Sequence, residues 1–534
     1  MNLSRRDLLT IFLGAPLAAA ACRAKAPKRP EGEIVGASAS RGHELRQQQK
    51  REPLSWRTTE VAIIGGGPAG LAAAWRLVRG GKRDYEMLEL EPDVGGTSRY
   101  GTDALVDHPW GAHYINAPMA ENRAMITLLE EMRVIEGRDK DGAPVIGEQF
   151  LCREPDERVF YRGRWYEGLY LHAGASPADL AELQRFETLI AAFADFRGAD
   201  GRRAFAIPMA KSTSDPRITG LDQISMATWL TENELTSPRL RWLVDYACRD
   251  DYGTRIEDTS AWAGLFYFAA RKRSDGKESQ PVITWPEGNG RLVRHMNGIV
   301  HERVTTGALV TEVRPTASGV DVVAVDRQNV AFGVRAKHAI VAAPHFVAER
   351  IVRDLAGNPL PPRNFAYGTW LVSNVHLRER PAGRGFPLSW DNVIYESPSL
   401  GYVVATHQRG LDRGPTILTH YFPMCDAAAR QTLLGLDYGA CADIVLSDLR
   451  RAHPEIDTLV TRLDCMRWGH AMVRPKPRFL FGSEREAAAT PIGNMCFAHS
   501  DLSGVALFEE AFYRGVHAAE TVLGRAGAKS ESLL

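Results

Sequence analysis

A short glycine pattern near residue 65 constrains the fold of this chain more than any other feature of its sequence. Gly65-x-Gly67-x-x-Gly70 directly follows Val61–Ile64, a continuous apolar run typical of a buried parallel strand. Gly65 permits a tight turn from strand to helix, and Gly67 lets the backbone approach a pyrophosphate. Gly70 lets the helix and the strand pack closely. The pattern therefore predicts the first half of a dinucleotide-binding unit.

The residues after this turn complete the unit. The apolar spacing predicts a helix through Val78, followed by a second strand at Tyr85–Leu90. The N-terminus of such a helix presents free N–H groups and the positive end of its dipole to phosphates. Glu89, near the end of the second strand, has the spacing at which a carboxylate binds ribose hydroxyls. Strand, fingerprint, helix, strand and acid occur in the order that a dinucleotide site requires.

The segment after the second strand favours FAD over NAD. Residues 89–99 read Glu-Leu-Glu-Pro-Asp-Val-Gly-Gly-Thr-Ser-Arg and resemble the acid-to-Gly-Gly segment of the flavin amine oxidase superfamily. That superfamily includes monoamine and polyamine oxidases, phytoene desaturases and protoporphyrinogen oxidases. In it, the Gly-Gly backbone continues along the FAD pyrophosphate and ribityl chain. Arginine commonly follows the Gly-Gly pair there, whereas here Thr97 follows it and Arg99 comes two places later.

Three further matches extend the resemblance over most of the chain. Residues 286–292 resemble the glycine-rich turn that opens the second FAD-domain segment. Val304, in Glu-Arg-Val, occupies the place where the family holds adenine with backbone groups. Residues 497–519 are similar to the closing flavin motif, in which the aspartate, here Asp501, bonds the ribityl chain. His499-Ser500 replaces the glycine usual before that aspartate.

The resemblance also implies side chains near the flavin ring. Residues 110–114 resemble the stretch that passes close to the isoalloxazine, which makes His113 and Tyr114 either active-site side chains or packing residues. Trp468 lies where the family places an aromatic beside the flavin; it is either the wall of an amine pocket, through a cation–π contact of about 2 kcal/mol, or a core tryptophan. The predicted catalytic residues are His113, Tyr114 and Trp468. The predicted cofactor-binding residues are Gly65, Gly67, Pro68, Ala69, Gly70, Glu89, Gly95, Gly96, Thr97, Ser98, Gly111, Ala112, Val304 and Asp501.

Two departures from the family bear on the chemistry. Many amine oxidases carry a lysine that holds a water near flavin N5, and the comparable strand here, residues 368–373, has none. No cysteine matches the covalent flavin attachment of monoamine oxidases, so non-covalent FAD is expected. The electron acceptor stays open between oxygen, a quinone and a cytochrome.

Two adjacent acids, Asp250 and Asp251, fall in the expected substrate region. They could attract a cationic amine, since loops that carry such groups often serve function. The alternative is an ion-paired turn. No grouping of His, Cys, Asp or Glu has metal-ligand spacing, and no metal is expected.

The charge balance and the N-terminus concern partners and location. Lys plus Arg and Asp plus Glu both number 65, so no basic surplus supports nucleic-acid binding.

Arg5-Arg6 precedes a short apolar run, residues 8–21, too brief to span a bilayer. This arrangement resembles a twin-arginine export signal and predicts delivery of the folded protein to the periplasm by the twin-arginine machinery, an ordinary secretory signal being the alternative. Cys22 ends either a cleavage site or a lipoprotein box, so membrane contact would come only through lipidation at Cys22. The other six cysteines are widely spaced and are expected to be buried free thiols.

The chain as a whole reads as an α/β protein of two domains. A Rossmann-like FAD-binding domain would be assembled from discontinuous segments, with a mixed α+β substrate domain inserted between them. Alternating strands at 309–313, 320–325 and 330–334 predict a meander that leads to a separate buried strand at 339–344. The predicted ranges are 1–22 for the signal, 23–56 for a linker or surface arm, 57–125, 282–345 and 465–528 for the FAD-binding domain, and 126–281 and 346–464 for the substrate domain.

Three functions are compatible with this reading, each with a small-molecule substrate or ligand. The first is oxidation of an amine, polyamines included, by hydride transfer to flavin N5. The second is desaturation or oxidation of an apolar, isoprenoid-like substrate, which predicts a long apolar tunnel. The third is a binding protein of the same fold without turnover, against which the intact Glu89 and Gly-Gly segment argue.

Overall fold

The computed structural model describes residues 29–47, 51–273 and 281–534. The predicted export signal at 1–22, with Cys22, lies outside these residues. The strands are β1 (Ile34–Gly36), β2 (Trp56–Ile64), β3 (Tyr85–Glu89), β4 (Tyr100–Gly101), β5 (His108–Pro109), β6 (Tyr114–Ile115), β7 (Ile135–Arg138), β8 (Pro144–Ile146), β9 (Glu157–Tyr161), β10 (Arg164–Glu167), β11 (Ile283–Thr284), β12 (Val304–Thr306), β13 (Leu309–Pro315), β14 (Val320–Val325), β15 (Ala331–Val341), β16 (Tyr367–Leu377), β17 (Asp391–Ile394), β18 (Tyr402–Val404), β19 (Thr416–Met424), β20 (Val460–Val473) and β21 (Met495–Phe497).

The helices connect these strands and cover their sheets. They are α1 (Ala39–His43), α2 (Pro68–Arg79), α3 (Arg123–Glu131), α4 (Pro177–Asp195), α5 (Pro216–Thr219), α6 (Met226–Glu232), α7 (Pro238–Tyr252), α8 (Ala261–Ala269), α9 (Gly290–Val300), α10 (His345–Ile351), α11 (Ala429–Gly435), α12 (Tyr438–Ala452), α13 (Ile456–Leu459), α14 (Ser483–Ala488) and α15 (Phe508–Arg525). None of the helices in the described ranges is long and apolar enough to cross a membrane.

Two large sheets organise the molecule. The first has seven strands in the order β12-β3-β2-β15-β14-β13, with β21 beside the end of β15. Its strands β12, β3, β2, β15 and β21 are parallel, as expected for an α/β fold with helices on the sheet faces. The second has eight mostly antiparallel strands in the order β1-β20-β16-β19-β18-β17-β9-β10. The predicted α/β fold, with one sheet built from separate chain segments, is confirmed.

The helix after the glycine pattern sits where the sequence predicts it. Gly67 caps α2, and Pro68 occupies its first turn, where a missing N–H costs nothing. A Cβ atom on Gly70 would lie 1.9 Å from the carbonyl oxygen of Gly65, so only glycine permits this approach. The C-terminal helix α15 packs on α2 equally closely, since a Cβ on Gly515 would lie 2.1 Å from the carbonyl oxygen of Ala69.

The meander differs from the prediction in one respect. Strands β13, β14 and β15 pair in antiparallel order, as expected. The residues predicted as a third meander strand and as a separate buried strand form a single strand, β15, eleven residues long. Its first half pairs with β14 on one side, and its last three residues pair with β21 on that side instead. The alternation of the first half and the apolar run of the second half reflect these two environments of one strand.

Part of the segment predicted as a linker or surface arm belongs to the fold. Of its residues, 34–36 form β1, which pairs in parallel with β20 at Cys465 and Met466, and 39–43 form α1. The sequence gives no apolar period here because the strand lies at a sheet edge and is held through its backbone. Six cysteines in the described ranges are free, and all but the partly buried Cys425 are buried: Cys152, Cys248, Cys425, Cys441, Cys465 and Cys496.

Candidate active site

A cavity of about 730 Å³ is lined by residues from both large sheets. This volume lies within the range of small-molecule and cofactor sites. Its walls include the turn between β2 and α2, the end of β3, the start of α10, strand β20 and the start of α15. The carboxyl ends of the parallel strands open onto it, which is the place where ligands bind in open α/β sheets.

The structure brings most of the predicted cofactor-binding residues to this cavity. Those that line it are Gly65, Gly67, Pro68, Ala69, Glu89, Gly96, Thr97, Ser98, Gly111, Ala112 and Asp501. Gly70 and Gly95 do not line it and instead support the two glycine turns: the N–H of Gly95 donates to the carbonyl oxygen of Gly66. A Cβ on Gly67 would meet its nearest neighbour, Gly96 Cα, only at 3.9 Å, so the space in front of the α2 N-terminus is open. This open cradle of backbone N–H groups fits a diphosphate.

Val304 is not brought to the cavity. It lies on the edge strand β12, paired with Met87 of β3. Ala308, Leu309 and Val310, at the start of β13, line the cavity in its place. The predicted position is therefore displaced along the chain, because the strand that passes the cavity is β13 and Val304 belongs to the short strand before it.

Glu89 is held firmly by backbone donors. Its two carboxylate oxygens accept hydrogen bonds from the N–H of Gly66 at 2.6 Å and the N–H of Glu91 at 2.7 Å. Burial raises the pKa of Glu89, while these two donors act in the opposite direction. The carboxylate thus connects the end of β3 to the glycine turn.

Asp501 lies at the opposite wall and is equally well held. Its carboxylate accepts hydrogen bonds from the N–H of His345 and the hydroxyl of Tyr367, both at 2.8 Å. His499 Nδ1 lies 3.0 Å from the other oxygen. Burial acts to raise the pKa of Asp501, but His499, His345 and Tyr367 outweigh it and hold that pKa below its usual value. The carboxylate is therefore ionised and fixed, whereas its bond to a ribityl chain stays a prediction.

The three predicted catalytic side chains line the cavity as well. The His113 ring centroid lies 4.9 Å from that of Tyr421 and 5.1 Å from that of Tyr114. Burial lowers the pKa of His113 to about 4, so its imidazole is neutral at physiological pH. Trp468 donates its indole N–H to the carbonyl oxygen of Trp110 at 2.7 Å, which fixes the ring. The catalytic roles stay predictions, but the geometry provides a rigid aromatic wall.

The two adjacent acids of α7 have different environments. Asp251 forms an ion pair with Arg271 at 2.6 Å, which is the structural alternative considered above. Asp250 also lines the cavity and has no hydrogen bond or ion pair within the described residues. Burial first, and then the charges of Asp251 and Asp391, raise the pKa of Asp250 well above that of an ordinary aspartate. Asp250 is therefore a carboxyl without an ion-pair partner, although the charges of Arg271 and Arg249 act to lower its pKa.

Further acids surround Asp250 behind the cavity wall. Burial, followed by neighbouring acids, raises the pKa of Glu157 to about 8, and burial raises that of Asp391 to about 7. The hydroxyl of Tyr246 donates to Asp391 at 2.9 Å. This end of the cavity favours the entry of a positive charge, because a cation would allow the acids to ionise.

Sequence reasoning missed several residues of the site. Trp370 and Tyr421 line the cavity from the antiparallel sheet, and Arg271 balances Asp251. None belongs to a motif, and only the sheet topology brings them together. Within the described residues, no lysine or cysteine lines the cavity, and no group of three His, Cys, Asp or Glu side chains could hold a metal ion.

Comparison with known proteins agrees with this geometry. A sequence model of the family described as flavin containing amine oxidoreductase matches residues 68–523. No curated protein gives a significant match. Among solved structures, putrescine oxidase bound to putrescine is similar over 88% of this chain and 100% of its own, with a TM-score of 0.64 and 19% identity.

Two further structures share the fold. Cyclohexylamine oxidase from Brevibacterium oxydans is similar over 88% of this chain and 99% of its own length, with a TM-score of 0.61 and 16% identity. A CLA-producing fatty acid isomerase from P. acnes is similar over 88% of this chain and 98% of its own length, with a TM-score of 0.57 and 15% identity. At these identities the likeness concerns the fold.

Proposed function

Since this chain belongs to the flavin-containing amine oxidoreductase family, we propose that it is an FAD-dependent oxidoreductase that oxidises an amine, with polyamines the best fit to its cavity. The observation that carries the proposal is Asp250, a cavity-lining carboxyl without a cation beside aromatic walls. Bound FAD supplies the hydride acceptor, N5 of its ring. The chain binds and orients the substrate and excludes water around the reacting carbon.

The position of the charge within the substrate favours a polyamine. An amine nitrogen must be neutral to release a hydride from the adjacent carbon. A carboxylate that binds an ammonium group therefore serves a second nitrogen, remote from the reacting one. Asp250 can serve in this way, because a desolvated ion pair with an ammonium group replaces the proton that it otherwise carries. The aromatic rings of His113, Tyr114 and Trp370 enclose the alkyl chain between the two nitrogens.

Non-covalent binding of FAD is part of the proposal. The described cavity wall contains no cysteine that could form a thioether with the flavin. Gly67, Glu89 and the turn at Gly96 would hold the cofactor through backbone donors and a carboxylate. Acid precipitation should then release all of the flavin into the supernatant.

Anaerobic reduction by a panel of amines tests the proposed reaction. We expect 1,4-diaminobutane and spermidine to bleach the oxidised flavin band at least tenfold faster than n-butylamine, which has the same chain as the diamine without the second nitrogen. Readmission of air then shows whether oxygen is the electron acceptor. A yellow protein that no amine bleaches but an apolar alkene does would refute amine oxidation in favour of the apolar-substrate alternative.

We also propose export to the periplasm by the twin-arginine machinery. The support is the sequence Ser-Arg-Arg-Asp-Leu-Leu at residues 4–9, before a short apolar run. Replacement of Arg5 and Arg6 by lysine should retain the protein in the cytoplasm, as cell fractionation would show. Periplasmic recovery of this double variant at the normal level would contradict the proposal.

A further inference from the structure

Residues 37–46, here named the N-terminal strap, form one wall of the cavity although no family motif includes them. Ala37, Ser38, Ala39, Gly42, His43, Leu45 and Arg46 all line it. The strap follows β1 and contains α1. It therefore approaches the cavity from the sheet opposite to the one that carries the glycine fingerprint.

Contacts on both sides hold the strap in place. The preceding strand β1 pairs with β20 of the eight-stranded sheet. The N–H and the hydroxyl of Ser38 donate to the two carboxylate oxygens of Glu91, at 2.9 and 3.0 Å. Arg41 donates to the carbonyl oxygens of Val325 and Asp326, at the end of β14. The strap thus spans the gap between the two sheets.

The strap lies beside the residues expected to bind ribose. Glu91 is two residues after Glu89, and its N–H donates to the Glu89 carboxylate at 2.7 Å. A Cβ on Gly42 would lie 3.7 Å from a methyl group of Leu90, within van der Waals contact. Serine at position 38 and glycine at position 42 therefore place the strap over the end of β3.

Positive charges gather at the strap and the cavity rim. Arg46, Arg350 and Arg430 line the cavity, and none of them forms an ion pair with a carboxylate in the described part of the chain. Arg430 donates a hydrogen bond to His43 Nε2 at 3.0 Å, and its Nε donates a longer one to His470 Nδ1 at 3.4 Å. Burial first, and then Arg46, Arg430 and Arg350, lower the pKa of His43. Burial first, and then Arg430, His43 and Arg46, lower the pKa of His470 to about 4. Both imidazoles are therefore neutral, and the arginines carry the charge.

The other cations near the cavity are engaged elsewhere. Arg99 pairs with Glu91 at 3.0 Å, and Arg467 donates to the carbonyl oxygens of Leu434 and Leu436. Glu349, an acid that also lines the cavity, lies 3.1 Å from His345 and accepts the N–H of Arg363. The three rim arginines thus lie at this wall without an ion-pair partner among the described residues, and Glu349 meets Arg350 only through its charge.

We propose that the strap encloses the ADP half of FAD, and that Arg46, Arg350 and Arg430 neutralise its diphosphate. These arginines replace the charge of the arginine that commonly follows the Gly-Gly pair in relatives, since Thr97 stands there and Arg99 is bound to Glu91. The proposal deepens the proposed FAD site and does not depend on the identity of the reducing substrate. Its failure would therefore be distinguishable from that of amine oxidation.

Ligands that represent the two halves of FAD separate this role from a structural one. Apoprotein of the full chain is titrated with FAD, ADP and riboflavin, with ligand or intrinsic fluorescence as the readout. We expect Arg430→Gln to lower the affinity for FAD and for ADP about tenfold, roughly the loss of one charge-assisted contact. The affinity for riboflavin should fall less than twofold. Ser38→Ala should lower the affinity for FAD and for ADP about threefold. Arg413→Gln and Ser318→Ala, at exposed positions outside the cavity wall, should change none of the three affinities.

Limited proteolysis reports on the strap directly. ADP should slow tryptic cleavage after Arg41 and Arg46 at least fivefold in the apoprotein, whereas riboflavin should leave the rate unchanged. Equal losses of FAD and riboflavin affinity in Arg430→Gln would show a structural role and overturn the proposal. Unchanged affinities in both Arg430→Gln and Ser38→Ala, or cleavage that ADP does not slow, would overturn it equally.

Discussion

Gly67→Val should give a folded, soluble and colourless protein. Gly67 has an extended backbone, with φ −72° and ψ −177°, which valine adopts without strain. Its added Cβ would have no protein atom closer than 3.9 Å, so the side chain would occupy the space of the diphosphate. We expect flavin affinity to fall at least 100-fold, about 2.7 kcal/mol, with a melting temperature close to that of the apoprotein. The measurements are the flavin-to-protein ratio and thermal unfolding.

Two other glycines serve as controls for this variant. Gly298 lies in α9 with nothing within 4 Å of an added Cβ, so Gly298→Ala should retain its flavin. Gly70→Ala would bring a Cβ to 1.9 Å from a backbone oxygen and should fail to fold. If Gly67→Val purified with a full complement of flavin, the cofactor would lie elsewhere in the cavity.

Asp250→Asn should remove the preference for diamines without removing the flavin. Removal of the charge from one partner of a buried ion pair costs about 3 kcal/mol of binding free energy. We therefore expect kcat/KM for 1,4-diaminobutane to fall roughly 100-fold. The value for n-butylamine should change less than threefold, since this substrate has no second ammonium group. Asp258→Asn, at an exposed position, is the matched control. Equal losses for both amines would refute the role of Asp250.

Proton release adds a pH signature to the same variant. The pKa of Asp250 is raised well above its usual value, first by burial and then by Asp251 and Asp391. The carboxyl must therefore lose a proton when an ammonium group binds, and diamine affinity should increase as the pH rises toward that raised pKa. A pH indicator in weak buffer should detect proton release on binding to the wild-type protein, and less release in Asp250→Asn. Diamine binding that is independent of pH would contradict this assignment.

The parts of the site that lie close together in sequence were predictable. Gly65, Gly67 and Glu89 belong to one βαβ unit, where local backbone geometry and a fixed spacing determine where these residues lie. Asp501 also lines the cavity, with the unusual His499 and Ser500 before it, and its bond to the ribityl chain stays a prediction. Motifs of this kind are readable because their chemistry depends on neighbours in the chain.

Other parts depend on contacts between distant segments. Val304 begins β12 and Val310 lies near the start of β13, and only the sheet shows that the second one faces the cavity. The difference between Asp250 and Asp251 depends on Arg271, twenty residues away, which pairs with one of them alone. A sequence without an apolar period gave no sign of the strap, because its position results from backbone pairing and from hydrogen bonds to Glu91.

The close packing of α15 on α2 has a consequence for biosynthesis. Gly515 touches the carbonyl of Ala69, and Glu509 accepts the N–H of Asn116, so residues near the two ends of the sequence complete the same wall. A nascent chain on the ribosome cannot form this wall until α15 has left the exit tunnel. We therefore expect flavin capture only after α15 has been synthesised, because the wall formed by Ala69 and Asn116 is incomplete before then.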